Sequence, residues 1–70
     1  MMETYFRVLD ILFASNYKEI GPIAMRNIMR NHLAASHDLL EDPNHVIDVW
    51  KKNQDPKKLS KTAQKTLELL

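Results

Sequence analysis

Six lysines, Lys51, Lys52, Lys57, Lys58, Lys61 and Lys65, fall within residues 51–65 against a single acid, Asp55. Ammonium groups at that density attract phosphate, because each one that meets a backbone phosphate releases a condensed counterion. The plainer reading is a solvated lysine-rich surface. The rest of the chain leans the other way. Residues 1–50 hold four basic side chains, Arg7, Lys18, Arg26 and Arg30, against seven acids, a net −3. The overall formal charge of +1 therefore conceals a basic end. Arg26 and Arg30, one helical turn apart, offer two more cations on one face, or else a solvated face with nearby acids.

Other constellations carry less chemistry. His32, His37 and His45 invite a metal, and His37 with Glu41 has i, i+4 spacing, but His32 and His37 do not face one another on a helix. Ser36-His37-Asp38 names the members of a catalytic triad, yet consecutive helical side chains point apart. The chain has no cysteine, so it has neither a disulfide framework nor a thiolate zinc site, in keeping with a reducing cytoplasm. Its one glycine, Gly21, has a helix-start role and forms no phosphate-binding loop. No catalytic, metal or cofactor site is expected. No apolar run approaches the roughly 20 residues of a membrane span, and the first residues read as a helix, not a signal peptide.

The elements that must position these groups follow from periodicity. A first helix from about Glu3 to Ala14 is apolar nearly all round, through Tyr5, Phe6, Val8, Leu9, Ile11, Leu12 and Phe13. Only Arg7, Asp10 and Ala14 form a polar stripe. So wide an apolar surface suggests a central helix, or one that packs on a second subunit through Tyr5, Val8, Leu9 and Leu12. Gly21-Pro22 begins a second helix, since proline fits the first helical position. Ile23, Met25, Ile28 and Met29 face a core. Asn31 can end this helix and cap a third, His32 to Glu41, with Leu33, Leu39 and Leu40 inward. The alternative is one long helix from Pro22 to Leu40. Asp42-Pro43-Asn44 ends the helical region. Val46, Ile47, Val49 and Trp50 are β-branched or aromatic and read as a strand. Lys51 to Lys58 is a polar turn. From Ser60 onward Leu59, Ala63, Leu67 and Leu70 recur at helical spacing.

From Leu39 onward this pattern resembles a winged helix-turn-helix domain. Leu39-Leu40-Glu41 matches the end of a recognition helix, His45-Val46-Ile47-Asp48-Val49 a wing strand, Lys51 to Lys58 the wing, and Leu59 to Leu70 the closing segment. Upstream, Leu9 to Phe13 resembles the first helix, and Ile20 to Met29 the second with its short leading strand. The resemblance implies a single domain over residues 1–70, mainly α with a small β-hairpin. An all-α bundle of three or four helices is the alternative. It also implies a non-enzymatic regulator of transcription that binds double-stranded DNA as a homodimer. Arg30, Asn31, His32 and Ser36 would reach bases or phosphates, with Arg26 beside them, while Lys51, Lys52, Lys57, Lys58 and Lys61 would neutralise phosphates. The second expectation is an all-helical protein-interaction module that docks a protein partner through its apolar first helix. Residues 46–60 separate the two: extended structure makes a wing, helix makes the module.

Overall fold

The computed structural model describes residues 2–70, and among them every regular element is helical. The order is α1 (Met2–Asn16), α2 (Pro22–Ala34), α3 (Pro43–Lys52), a single 3-10 turn (Pro56–Lys58) and α4 (Lys61–Leu69). α1, α2 and α3 pack on one another, and α4 closes the bundle against α2. The core is Leu9 and Phe13 of α1, Met25, Met29 and Leu33 of α2, Val46, Ile47 and Trp50 of α3, and Ala63 and Leu67 of α4.

The winged-helix resemblance is overturned at its defining element. The expected strand is α3, and neither a β-hairpin nor a wing is present among the described residues. The reason is local. Asp42 adopts an extended backbone and its side chain accepts from the Asn44 N–H at 3.1 Å, while Pro43 takes the first helical position. That is an N-cap followed by proline at N1, a helix start and not a helix end. The β-branched residues then fall on one helical face: Val46, Ile47 and Trp50 are all buried. Burial of that face outweighs the modest strand preference of valine and isoleucine, which amounts to at most about 1 kcal/mol.

The same device recurs. Asp55 caps the 3-10 turn through the Lys57 N–H, with Pro56 at its start. Gly21 precedes Pro22 at the start of α2, as its sequence indicates. All three prolines of the chain thus open a helical turn. α4 forms where the helical spacing places it, and Ser60 serves as its N-cap, accepting from the Ala63 N–H at 3.1 Å.

The expected recognition helix, His32 to Glu41, does not form. α2 runs through Asn31 without a break and stops at Ala34, so the long helix to Leu40 does not form either. Residues 35–42 are a loop. Ser36 and Asp38 bond to each other, the kind of side-chain bonding that competes with helix, and Pro43 bars helix at Asp42. Leu33 is buried as expected, Leu39 only partly, and Leu40 is 96% exposed; on α2 Met25 and Met29 are buried as expected, but Ile23 and Ile28, expected in the core, lie on its exposed side.

A few polar contacts lock the bundle. The Trp50 Nε1 donates to Asp10 Oδ1 at 2.8 Å, and its ring meets Phe13 edge-on with centroids 5.5 Å apart. Arg26 donates from Nη2 to Asp48 Oδ1 and from Nη1 to the Leu70 carbonyl, both at 2.8 Å, joining α2, α3 and the end of the chain.

Candidate functional site

α1 and the C-terminal half of α2 leave a cleft of about 340 Å³ between them. Thr4, Tyr5 and Val8 line it from α1, His32 and Leu33 from α2, and Ala35, Ser36 and Asp38 from the loop that follows. Periodicity puts these side chains together: Thr4 and Val8 share one face of α1, one turn apart. The α2 helix ends where Ala35 turns the chain across the cleft mouth. The floor is apolar and one rim is polar. On that rim Ser36 Oγ donates to Asp38 Oδ1 at 2.5 Å, and the Tyr5 hydroxyl lies 3.4 Å from Ser36 Oγ. The Ser36 bond, with a smaller contribution from Tyr5, holds the Asp38 carboxyl below its ordinary value. An ionised carboxylate thus stands at the edge of an apolar groove, anchored to α1 through a serine and a tyrosine.

This cleft draws residues from two groups that sequence reasoning kept apart. Tyr5 and Val8 were expected at a subunit interface, His32 and Ser36 on DNA; all four line one groove. Leu9 is fully buried, so it holds the core and is closed to any partner, and Leu12 is partly buried against that core. Ile11, on the outer side of α1, is 62% exposed and continues the apolar surface beyond the groove. Asp38 was assigned no role, yet its place two residues after Ser36 made a local bond readable.

The other expected DNA contacts form no base-reading face. Arg26 is engaged with Asp48 and Leu70, and Arg30 donates to Asn27 Oδ1 at 2.8 Å. Asn31 is exposed near the end of α2, and no recognition helix carries it. The lysines lie elsewhere. Lys51 and Lys52 end α3, Lys57 and Lys58 sit in the 3-10 turn, and Lys61 opens α4. Lys51 and Lys52 share a shallow depression with Leu67 and Glu68 of α4. Trp50, beside them in sequence, is fully buried and offers no stacking surface.

Among the described residues no group of three or more His, Cys, Asp or Glu could hold a metal ion. His37 and Glu41 fall in the loop, and Glu41 lies 3.5 Å from His45 instead. No helix among them is long and apolar enough to cross a membrane. The small all-α bundle is the class of protein that this architecture defines. No protein-family model, curated protein or solved structure matches the chain.

Proposed function

We propose that this chain is a non-enzymatic protein-interaction module, acting in the cytoplasm, whose α1–α2 cleft receives an amphipathic segment of a partner protein. The observation that carries the reading is the cleft itself: an apolar floor of Val8 and Leu33 with the Asp38 carboxylate fixed at its rim. Grooves between two helices accept an apolar helix face by inserting a few anchor side chains. The fixed carboxylate selects among such segments. It favours one whose apolar anchor is followed, about a turn away, by lysine or arginine, and disfavours one with an acid there. Helix at residues 43–52, where a DNA-binding wing would need extended chain, supports the same reading. Ser36 and Asp38 do not suggest catalysis, because a carboxylate with a lowered pKa is a weak base and the serine proton already points to it.

Benzophenone photocrosslinking from Thr4, an exposed residue on the cleft wall, tests this in cells that express the chain. Capture from Thr4 of one protein that is not captured from exposed Glu19, with the crosslink mapping to an apolar segment bearing a nearby basic residue, is expected. Asp38→Lys should abolish it. A crosslink to a second copy of the chain would replace the partner with a homodimer. Equal capture from both positions would reject the cleft.

A further inference from the structure

The lysines of residues 51–61 raise a separate question, because helix electrostatics explains only two of them. Lys51 and Lys52 lie in the last turn of α3, where cations interact favourably with the helix dipole. Lys61 stands at the opposite kind of site: it opens α4, whose first turn holds no acid, and Lys65 follows one turn later on the same face. A cation at a helix N-terminus and a like-charged i, i+4 pair both oppose folding. Lys57 and Lys58 add two more charges in the 3-10 turn that leads into that N-terminus.

The nearby acids offset them only in part. Asp48, bonded to Arg26, also faces Lys51 and Lys52, and Glu68 borders the depression beside them; Asp55 accepts from the Lys57 N–H, and Lys58 and Lys61 have no acid bonded to them. Among the described residues none of these lysines makes an ion pair, and all but Lys51, which is half-buried, are exposed. Five ammonium groups within residues 51–61 thus make no ion pair, and their charge complements a polyanion.

We propose that the α3–α4 connection, Lys51, Lys52, Lys57, Lys58 and Lys61, is a docking surface for the phosphate backbone of duplex nucleic acid, bound without regard to base sequence. The surface is distinct from the α1–α2 cleft, and it stands whether or not the cleft takes a partner. Base reading has no place in it, since His32 and Ser36 line the cleft and Arg26 is committed to Asp48 and Leu70. An anionic membrane is the less favoured occupant. Interfacial binding needs apolar side chains interleaved with the basic ones, and residues 51–61 expose no large apolar side chain.

The test is fluorescence anisotropy of a labelled mixed-sequence duplex of roughly 20 base pairs, titrated with the full chain from about 50 to 200 mM salt. Four or five phosphate contacts give a slope of log affinity on log salt of about −4. The Lys51, Lys52, Lys57, Lys58→Gln variant should bind more than tenfold more weakly, and the same four positions changed to Arg should bind like the parent. If the glutamine variant melts early, Lys58→Glu alone, at an exposed turn, should still weaken binding several-fold. Arg7→Gln, on α1, should not. Absence of binding at tens of micromolar in about 50 mM salt, a glutamine variant as tight as the parent, or binding to phosphatidylserine vesicles in place of DNA would each overturn the proposal.

Discussion

The hydrogen bond between Trp50 and Asp10 predicts an asymmetry that a double-mutant cycle can read. Trp50 is fully buried, whereas Asp10 is exposed. Trp50→Phe removes the indole donor and leaves a carboxylate that water can solvate again, so the lost bond falls at the low end for a charged partner, about 1.5 kcal/mol. Replacing the indole by a phenyl ring also empties about 40 Å³, worth about 1 kcal/mol at roughly 24 cal/mol per Å³. The sum, about 2–3 kcal/mol, is a large part of the roughly 3–10 kcal/mol available to 70 residues, and lowers Tm by about 10–20 °C. Asp10→Ala removes no core volume, but it leaves a buried N–H unpaired, at about 1–3 kcal/mol. Because both variants delete the same bond, the double variant should be less destabilised than the sum of the two, by about 1 kcal/mol or more. Urea unfolding followed by circular dichroism measures all four proteins without relying on the single tryptophan. Additivity within about 0.3 kcal/mol would show that the bond contributes nothing and refute the reasoning.

Asp42→Ala should destabilise α3 by about 1 kcal/mol in the same assay, whereas a strand at that place would leave Asp42 an ordinary loop residue of no consequence. Gly21→Ser should stabilise by about 0.5–1 kcal/mol in thermal melts, since Gly21 has an ordinary negative φ and nothing lies within 4 Å of an added Cβ. Arg26→Met should be destabilising by about 1 kcal/mol at neutral pH, since Arg26 is half-buried but its partner Asp48 is exposed. The Arg26 bond holds the Asp48 carboxyl below its ordinary 3.8, so the stability it contributes is present above that value and lost as pH falls through the lowered one. The gap between parent and Arg26→Met in urea melts should therefore narrow under strongly acidic conditions, leaving the part that the Leu70 carbonyl bond contributes.

Much of the fold was legible where periodicity and capping agreed. α1, the Gly21-Pro22 start of α2 and α4 were all readable, α1 and α4 from their apolar spacing and α2 from a local start signal as well. The failure lay at Asp42-Pro43. The same two-residue signal read as a helix start at Gly21-Pro22 was read as a terminator there, because four β-branched or aromatic residues followed closely. Val46, Ile47 and Trp50 at i, i+1 and i+4 fit a helical face as well as a strand, and a run that short does not choose between them. The cap does. The cleft was half legible: Tyr5 and Val8 stood out as surplus apolar surface on α1. That His32 and Ser36 face them depends on α2 ending at Ala34, a tertiary outcome that single-chain propensity does not fix.

The loop of residues 35–42 lies between two helices whose ends are each set locally, α2 by its turn at Ala35 and α3 by Asp42-Pro43. Neither helix borrows register from the other through that connection. The exposed Leu40 is thus a natural point at which the chain can be opened, lengthened or nicked. Cut there, α1 and α2 remain one segment and α3 and α4 another, and the second has little packing of its own, because both of its helices rest on α2. Each segment holds part of the one core, Leu9 and Met29 on one side and Trp50 on the other, so a split pair should regain helix only when both halves are present.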